Sequence, residues 1–164
     1  MKSFKDSLTI FLNSLSRKLN GQKCSRQCEV FTYRYFLNQF PDLCILAVPS
    51  ITGNNDPAEK REPIGCVVCK IDEEFQGSQI VKSGYMAMLA VDMAYRKAGI
   101  GTALVKRAVK RMQHKGCSSV TLETEVSNVA AIRLYEERLG FVREELLVRY
   151  YLNWGDAYRL RLWL

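Results

Sequence analysis

One stretch, residues 85–112, constrains the fold more than any other part of the chain. It begins with a continuous apolar run, Tyr85-Met86-Ala87-Met88-Leu89-Ala90-Val91, which has the length of a strand that is buried on both faces at the centre of a sheet. The pattern Arg96-x-x-Gly99-x-Gly101 follows. Apolar residues then recur at helical spacing, at Leu104, Val105, Ala108, Val109 and Met112. The sequence therefore predicts a central strand that leads through a glycine turn into a helix over residues 99–115.

The beginning of that helix is a candidate phosphate-binding site. The first backbone N–H groups of a helix lack intrahelical partners, and the helix dipole adds partial positive charge. Gly99 and Gly101 would let the backbone approach an anion closely, Arg96 and Lys97 would add charge, and Thr102 would add a hydroxyl donor. The pattern is neither a dinucleotide fingerprint nor a Walker loop. A Gly-x-Gly pair also occurs in ordinary strand-to-helix turns, so further motifs are needed to decide.

Several separated motifs together resemble the GNAT acetyltransferase superfamily. The pattern from Arg96 to Gly101 is similar to its acetyl-CoA-binding signature, and residues 122–136 are similar to the second half of that site in N-terminal acetyltransferases. Tyr33-Arg34-Tyr35-Phe36 and residues 149–157 are most similar to the NatC type. The resemblance covers residues 30–164 and implies an α/β fold, in which one GNAT-type domain has a mixed central sheet flanked by helices.

The same resemblance implies an activity and its partners. It implies transfer of an acetyl group from acetyl-CoA to the α-amine of nascent proteins, by direct attack in a ternary complex, on N-termini in which Met precedes a bulky hydrophobic residue. It also implies auxiliary NatC-type subunits and the ribosome as partners. Two alternatives stay open: another GNAT acetyltransferase that acts on different N-termini or on lysine, and a noncatalytic module that binds coenzyme A or the ribosome.

Two side chains are the candidate catalytic groups. An α-amine has a reference pKa of ~7.7–8.0, against ~10.4 for lysine, so a weak base suffices for N-termini. Glu123, at the end of a predicted strand, is the expected base, directly or through a water, and Glu125 is its competitor; alternatively, one of them only caps the next helix. Tyr135 is the expected acid, since a tyrosine with a reference pKa of ~10 holds its proton. Its alternative role is that of a packed aromatic.

Further residues are expected to bind the cofactor and the peptide. Backbone N–H groups from Leu89 to Val91 are predicted to hold the thioester carbonyl. The resemblance implies that Asn128 binds the pantetheine arm. It also implies that two regions clamp the peptide, namely the one with Phe31 and Tyr33 and the one with Tyr150 and Tyr151. If Tyr150 and Tyr151 lie in a strand, they face opposite ways, so that one packs and the other offers its hydroxyl to the peptide.

This chain departs from the family pattern at two places that matter for the site. Arg26 stands where the family has an acidic residue near the substrate amine, which leaves the preferred N-terminal sequence open. One extra residue lies between Tyr135 and Gly140. The end of that helix must therefore absorb a bulge or an additional turn residue.

The cysteines and the charge exclude several other classes. Cys66 and Cys69 lie three residues apart in a strand-like run, which places their side chains on opposite faces. With His114 as the only histidine, we expect no metal site and buried free thiols in a reducing compartment. The net charge of +7 fits an anionic cofactor or a ribosomal surface, without a motif for sequence-specific nucleic-acid binding. No apolar run approaches ~18 residues, so we expect a cytoplasmic protein without a membrane span.

The remaining periodicity predicts the order of the elements within one domain, residues 1–164. Residues 1–25 form an N-terminal helical segment, with a helix over 5–20, and the first strand of the family has no clear counterpart there. Further helices are expected at 31–39 and 127–138, with Ser127 or Asn128 as the cap of the second. Strands are expected at 43–48, 64–71, 80–91, 119–123 and 141–152, followed by an alternating strand from Tyr158 to Leu164. Residues 49–62 are expected to form a loop.

Overall fold

The computed structural model describes residues 35–49 and 62–164. The strands are β1 (Cys44–Ala47), β2 (Gly65–Gln76), β3 (Gln79–Val91), β4 (Cys117–Glu125), β5 (Val142–Leu147) and β6 (Ala157–Trp163). Residues 35–39 are helical. The other α-helices are α1 (Ile100–His114) and α2 (Val129–Arg133), and α2 continues as a π-helical turn over Leu134–Arg138. The expected N-terminal segment 1–25, together with Arg26, Phe31 and Tyr33, lies outside the described residues, as does most of the expected loop 49–62.

The six strands form one mixed sheet in the order β1-β2-β3-β4-β6-β5. β3 and β4 are parallel, and the other neighbouring pairs are antiparallel. α1 connects the two parallel strands, as a crossover between parallel neighbours requires. The expected α/β fold with a mixed central sheet is confirmed, and β3 and β4 are its two central strands.

The sheet opens in its middle because β3 and β4 pair over only part of their length. Their register begins with Lys82 opposite Cys117 and ends with Tyr85 opposite Thr121, although β3 continues to Val91 and β4 to Glu125. Beyond that point each strand keeps its outer neighbour: β3 stays paired with β2 and β4 with β6. The carboxyl-terminal halves of β3 and β4 therefore diverge and leave a central cleft between them.

The two faces of the sheet carry separate apolar clusters. The larger cluster packs α1 against the sheet through buried side chains that include Leu104, Met112, Val120 and Leu160. The smaller one lies on the other face, where the helical segment 35–39 covers β1 and β2. Cys69 belongs to the first cluster and Cys66 to the second, which confirms that they lie on opposite faces.

α1 is amphipathic, as its spacing predicts. Leu104, Val105, Ala108 and Met112 are buried, whereas Lys106, Arg107 and Lys110 are exposed. The apolar stripe explains why this helix lies flat on the sheet.

Among the helices of residues 35–49 and 62–164, none has the length and hydrophobicity of a transmembrane span.

Two sequence expectations about strands are wrong. β3 is not buried on both faces along its length, because Ala87 is exposed and residues 88–91 are only partly buried beside the cleft. The strand expected over 141–152 ends at Leu147. Residues 148–156 instead form a β5–β6 loop in which Arg149 and Trp154 have positive φ, so strand geometry cannot continue through them.

The extra residue between Tyr135 and Gly140 is absorbed as predicted. The helix widens into the π-helical turn Leu134–Arg138, and the N–H of Phe141 donates to the carbonyl of Tyr135 at 3.0 Å. Single π-helical turns of this kind occur as bulges within α-helices and are frequent at functional sites. Tyr135 and Phe141 both remain buried, so the widened turn accommodates the insertion without exposing either ring.

Candidate active site

The amino end of α1 has the geometry of an anion site. Gly99 is the N-cap with φ 79°, a left-handed conformation that glycine adopts without strain. The first intrahelical bond runs from the N–H of Ala103 to the carbonyl of Gly99 at 3.0 Å. The N–H groups of Ile100, Gly101 and Thr102 precede that bond, so they lack partners within the helix and are available to an anion.

The packing of the described residues does not require a glycine at position 101. A Cβ placed there would lie 3.6 Å from Leu134, 3.8 Å from Leu89 and 3.9 Å from Val91, which are ordinary contacts. Its backbone has no positive φ. Because nothing in the described part of the chain excludes a side chain at this position, the small residue leaves room for a ligand that approaches the helix from outside.

Arg96 and Lys97 lie in the turn just before this helix. The Nε of Arg96 donates to the carbonyl of Val91 at 3.2 Å, which ties its side chain to the end of β3. Lys97 is exposed and has φ 66°, so the chain turns sharply there before it enters Gly99. Two positively charged side chains therefore lie in the turn that leads into the open helix end.

The central cleft forms a cavity of about 830 Å³. β3 and β4 supply its walls, α2 covers one side, and the β5–β6 loop covers another. The lining residues are Met86, Ala87, Met88, Leu89, Leu122, Glu123, Thr124, Glu125, Asn128, Ala131, Tyr135, Tyr151, Leu152 and Asn153. The cavity therefore brings together both candidate catalytic residues, Glu123 and Tyr135. Three of the predicted binding residues also line it, namely Leu89, Asn128 and Tyr151.

Tyr135 is buried beside this cavity, with 6% of its surface exposed. Its ring packs edge-on against Phe141 at a centroid distance of 5.5 Å. Burial raises the pKa of Tyr135 well above its usual value, so the phenol keeps its proton at physiological pH. Among the described residues none hydrogen-bonds to its hydroxyl, which leaves that group available to a ligand in the cavity.

Glu123 is held by two donors from the neighbouring strands. The hydroxyl of Tyr85 on β3 donates to Oε2 at 2.8 Å, and the Nε of Arg159 on β6 donates to Oε1 at 3.1 Å. The side chain is 8% exposed. Burial and the hydrogen bond to Glu123 both raise the pKa of Tyr85, so Tyr85 acts as a neutral donor. The carboxylate is thus fixed in one orientation against the cavity.

Glu125 occupies a different environment from Glu123. Its Oε1 accepts a 3.3 Å hydrogen bond from Nδ2 of Asn153 in the β5–β6 loop. A Cβ on Gly155 would come within 2.8 Å of the same oxygen, so the loop backbone packs closely on this carboxylate. Glu125 therefore anchors the loop that covers the cavity, a role that its position in the sequence does not reveal.

The sequence suggested that Tyr150 and Tyr151 face opposite ways in a strand. The structure shows that they do not lie in a strand. They lie in the β5–β6 loop with their rings in edge-to-face contact at 5.2 Å. Tyr151 lines the cavity, whereas Tyr150 is 47% exposed. The turn in the loop places both rings on the same side, which strand alternation could not predict.

Asn128 caps α2 with its side-chain oxygen, which accepts a 3.2 Å hydrogen bond from the N–H of Ala131. This confirms the expected cap. The amide nitrogen of the same side chain is not used by that bond, and the residue lines the cavity. Asn128 can therefore cap the helix and donate to a ligand at the same time.

Two features of the site escaped the sequence analysis. Ala87 is an extra residue in β3, because Met86 pairs with Cys69 and Met88 with Val68. Such a bulge turns backbone groups away from the regular ladder, here beside the cavity. The apolar run around Ala87 gives no local signal for it. The contact of Arg159 with Glu123 was also missed, although the alternation of β6 places Arg159 and Arg161 on one face.

The described cysteines, Cys44, Cys66, Cys69 and Cys117, are buried and free. Within the described part of the chain, no group of three His, Cys, Asp or Glu side chains is placed to hold a metal ion.

The Acetyltransferase (GNAT) family matches residues 22–141 of this sequence, which is more than half of the chain. The chain belongs to the GNAT acetyltransferase family. This GNAT protein is 46% identical to N-alpha-acetyltransferase 30 of Xenopus laevis over 147 residues, which are 90% of this chain and 49% of that protein. It is 43% identical to N-alpha-acetyltransferase 30 of Saccharomyces cerevisiae over 146 residues, 89% of this chain and 78% of that one. The family resemblance expected from the motifs is confirmed.

Solved structures agree with this assignment. The crystal structure of the NatC complex bound to Gag peptide and CoA matches with a TM-score of 0.78 and 40% identity, over 99% of this chain and 92% of that one. Arabidopsis thaliana NAA60 in complex with acetyl-CoA matches with a TM-score of 0.73 and 23% identity, over 95% and 94%, and shares the fold. The chain spans about half the length of the Xenopus relative and 37% of the human one.

Proposed function

We propose that this chain transfers the acetyl group of acetyl-CoA to the α-amine of protein N-termini, with a preference of the NatC type for Met followed by a bulky hydrophobic residue. One observation carries the proposal: a single cavity holds Glu123 and Tyr135, and Leu89 on its wall also packs beside Gly101 at the open end of α1. The similarity to N-alpha-acetyltransferase 30 and to the NatC complex supports the same activity.

The cofactor is acetyl-CoA, and no metal takes part in the proposal. The diphosphate binds the free N–H groups at the amino end of α1, from Gly99 to Thr102, with Arg96 and Lys97 adding charge. The pantetheine arm then lies in the central cleft, where β3 is no longer paired with β4 beyond Tyr85 and Asn128 offers its amide. Backbone N–H groups from Leu89 to Val91 hold the thioester carbonyl.

The reaction is a direct displacement at the thioester. The neutral α-amine attacks the carbonyl carbon and forms a C–N bond, and the negative charge that develops on the carbonyl oxygen is held by backbone N–H groups. Glu123 accepts a proton from the amine, directly or through a water. When the C–S bond breaks, Tyr135 donates its proton to the departing thiolate sulfur. The products are an N-acetylated peptide and coenzyme A.

Glu123 is the proposed base rather than Glu125. The carboxylate of Glu123 is fixed at the floor of the cavity and is nearly enclosed. Glu125 holds the β5–β6 loop through Asn153. An α-amine is partly neutral at cytosolic pH, so a carboxylate is a strong enough base for this substrate.

The peptide enters beneath the β5–β6 loop. Tyr151 lines the cavity and Tyr150 lies next to it, so their hydroxyls are suited to bind the peptide backbone. Phe31 and Tyr33 are proposed to contact the peptide as well.

The proposed partners of this enzyme are nascent N-termini, auxiliary NatC-type subunits and the ribosome. Because nascent chains and ribosomes are in the cytoplasm, the proposed location of the enzyme is the cytoplasm.

The test is acetyl transfer to a panel of peptides, with the full chain assayed alone and with auxiliary NatC-type subunits. Peptides that begin with Met-Leu, Met-Ile or Met-Phe should be acetylated faster than those with acidic or small N-termini or with a blocked terminus and an internal lysine. Tyr135→Phe should lower kcat about a hundredfold while keeping coenzyme A binding. Preference for lysine would favour another GNAT activity, and binding of coenzyme A without turnover would favour a noncatalytic module.

A further inference from the structure

Arg159 lies between two carboxylates on the strands at either side of it. Its Nε donates to Oε1 of Glu123 on β4 at 3.1 Å, and its Nη1 donates to Oε2 of Glu145 on β5 at 2.7 Å. Both carboxylates stand directly opposite Arg159 in the strand register. The side chains are 52%, 35% and 8% exposed from Glu145 through Arg159 to Glu123. The three groups thus form a chain that runs from solvent into the active cavity.

Glu123 needs a positive partner because a nearly enclosed carboxylate is costly to keep charged. Tyr85 provides a hydrogen bond but no charge. Lys70 is engaged elsewhere, since its Nζ lies 2.7 Å from Asp72. Among the described residues, Arg159 is the cation that pairs with Glu123.

Glu145 restricts the guanidinium itself. An arginine side chain has several rotatable bonds, and one hydrogen bond to Glu123 would leave it free to swing. With Nη1 held by Glu145 and Nε held by Glu123, the planar guanidinium is held through two of its three nitrogens. With Tyr85 on the other oxygen, the Glu123 carboxylate has one orientation toward the cavity.

We propose that Arg159, oriented by Glu145, is a positioning residue that holds the Glu123 carboxylate in the orientation that accepts the amine proton. This inference rests on the proposed acetyltransferase activity. Arg159 does not line the cavity, so it acts through Glu123 and not by contact with the substrates.

Arg161 gives a matched control on the same strand. Its Nε donates to Glu144 at 2.8 Å and its Nη1 to the hydroxyl of Ser119 at 3.1 Å, so it also bridges β5 and β4. Neither partner lines the cavity. Removing Arg161 therefore removes a comparable bridge between strands without touching Glu123.

The experiment measures kcat, the KM for each substrate and thermal unfolding for the full-length variants. Arg159→Met should lower kcat about tenfold to a hundredfold, with the KM for acetyl-CoA unchanged. Arg159→Lys should restore part of kcat, and Glu145→Gln should lower kcat less than Arg159→Met does. Arg161→Met should lower the unfolding temperature as much as Arg159→Met but leave kcat at the wild-type value.

Several results would overturn the positioning role. The role is contradicted if Arg159→Met and Arg161→Met have the same kcat. It is also contradicted if Arg159→Met changes only a KM and leaves kcat unchanged. In a Glu123→Gln background, Arg159→Met should cause no further loss of kcat. If the two substitutions together lower kcat by the product of their separate effects, the positioning role is contradicted. If Arg159→Met does not fold, Arg159→Lys and Glu145→Gln decide. An inactive wild type would refute the proposed function itself, whereas an active wild type with unaffected Arg159 variants would refute only this inference.

Discussion

The hydroxyl of Tyr85 donates a 2.8 Å hydrogen bond to the carboxylate of Glu123, and this bond spans the place where the two central parallel strands separate. Tyr85 and Thr121 form the last register pair of β3 and β4. Glu123 follows Thr121 by two residues and therefore lies at the apex of the cleft, on the same face of β4. The divergence of the strands and the position of the candidate base thus have a single structural origin.

The two acidic residues of β4 should respond differently to neutralisation. Glu123→Gln should lower kcat about a hundredfold, because it removes the group proposed to accept the proton. Glu125→Gln should lower kcat much less and raise the KM for the peptide at most moderately, because its amide oxygen can still accept the hydrogen bond from Asn153 in the β5–β6 loop. Steady-state kinetics with a Met-Leu peptide distinguishes the two effects, and a larger loss of kcat in Glu125→Gln would reverse the assignment of the base.

Substitutions of the two glycines at the beginning of α1 should affect different properties, namely the affinity for coenzyme A at Gly101 and the stability of the fold at Gly99. Gly101→Ala should weaken the Kd for coenzyme A about tenfold or more, since a methyl group would occupy the space that a ligand needs. Its free energy of unfolding should stay equal or rise by up to ~1 kcal/mol, because alanine is the better helix former and fits the surrounding contacts.

Gly99→Ala provides the matched comparison for that variant. Gly99 has φ 79°, so a side chain there should cost about 1–2 kcal/mol of stability. Calorimetric titration with coenzyme A and urea unfolding measure the two properties. Unchanged affinity in Gly101→Ala would contradict a phosphate site at this helix.

Acetyl transfer should persist at alkaline pH. Burial raises the pKa of Tyr135 above its reference value of ~10, so the proton that it donates is still present when an exposed tyrosine would have begun to lose its own. We expect kcat to stay constant from pH 8 to about pH 10. A fall of kcat below pH 9, without unfolding in circular dichroism, would show that the acid has an ordinary pKa.

The buried thiols should make stability depend on pH. Burial raises the pKa of Cys44 to about 11 and that of Cys66 to about 12, against ~8.5 in an unfolded chain. The folded state then binds more protons than the unfolded state above pH ~8.5, so the free energy of unfolding should fall as the pH rises toward 11. Urea unfolding at pH 7.5 and pH 10 measures this fall. Cys66→Ala should reduce it, and an equal fall in that variant would contradict the contribution of this thiol.

Local periodicity was sufficient for much of the fold. The spacing of Leu104, Val105 and Ala108 predicted helix α1. The three-residue separation of Cys66 and Cys69 predicted that their side chains lie on opposite faces of the sheet. The glycine pattern before α1 located the open helix end, because that geometry depends only on adjacent residues. The extra residue after Tyr135 indicated a bulge, which the structure forms as a π-helical turn.

The sequence by itself determined the elements, the helix end that faces the proposed cofactor and the residue types from which a catalytic pair could be drawn. Only the tertiary structure decided how they meet. Tyr85 and Glu123 are 38 residues apart in the chain, and Arg159 is 36 residues beyond Glu123. The pairing partner of a strand, its register, the bulge at Ala87 and the bend that unites Tyr150 with Tyr151 depend on contacts between distant segments. No local repeat of apolar and polar residues encodes such contacts.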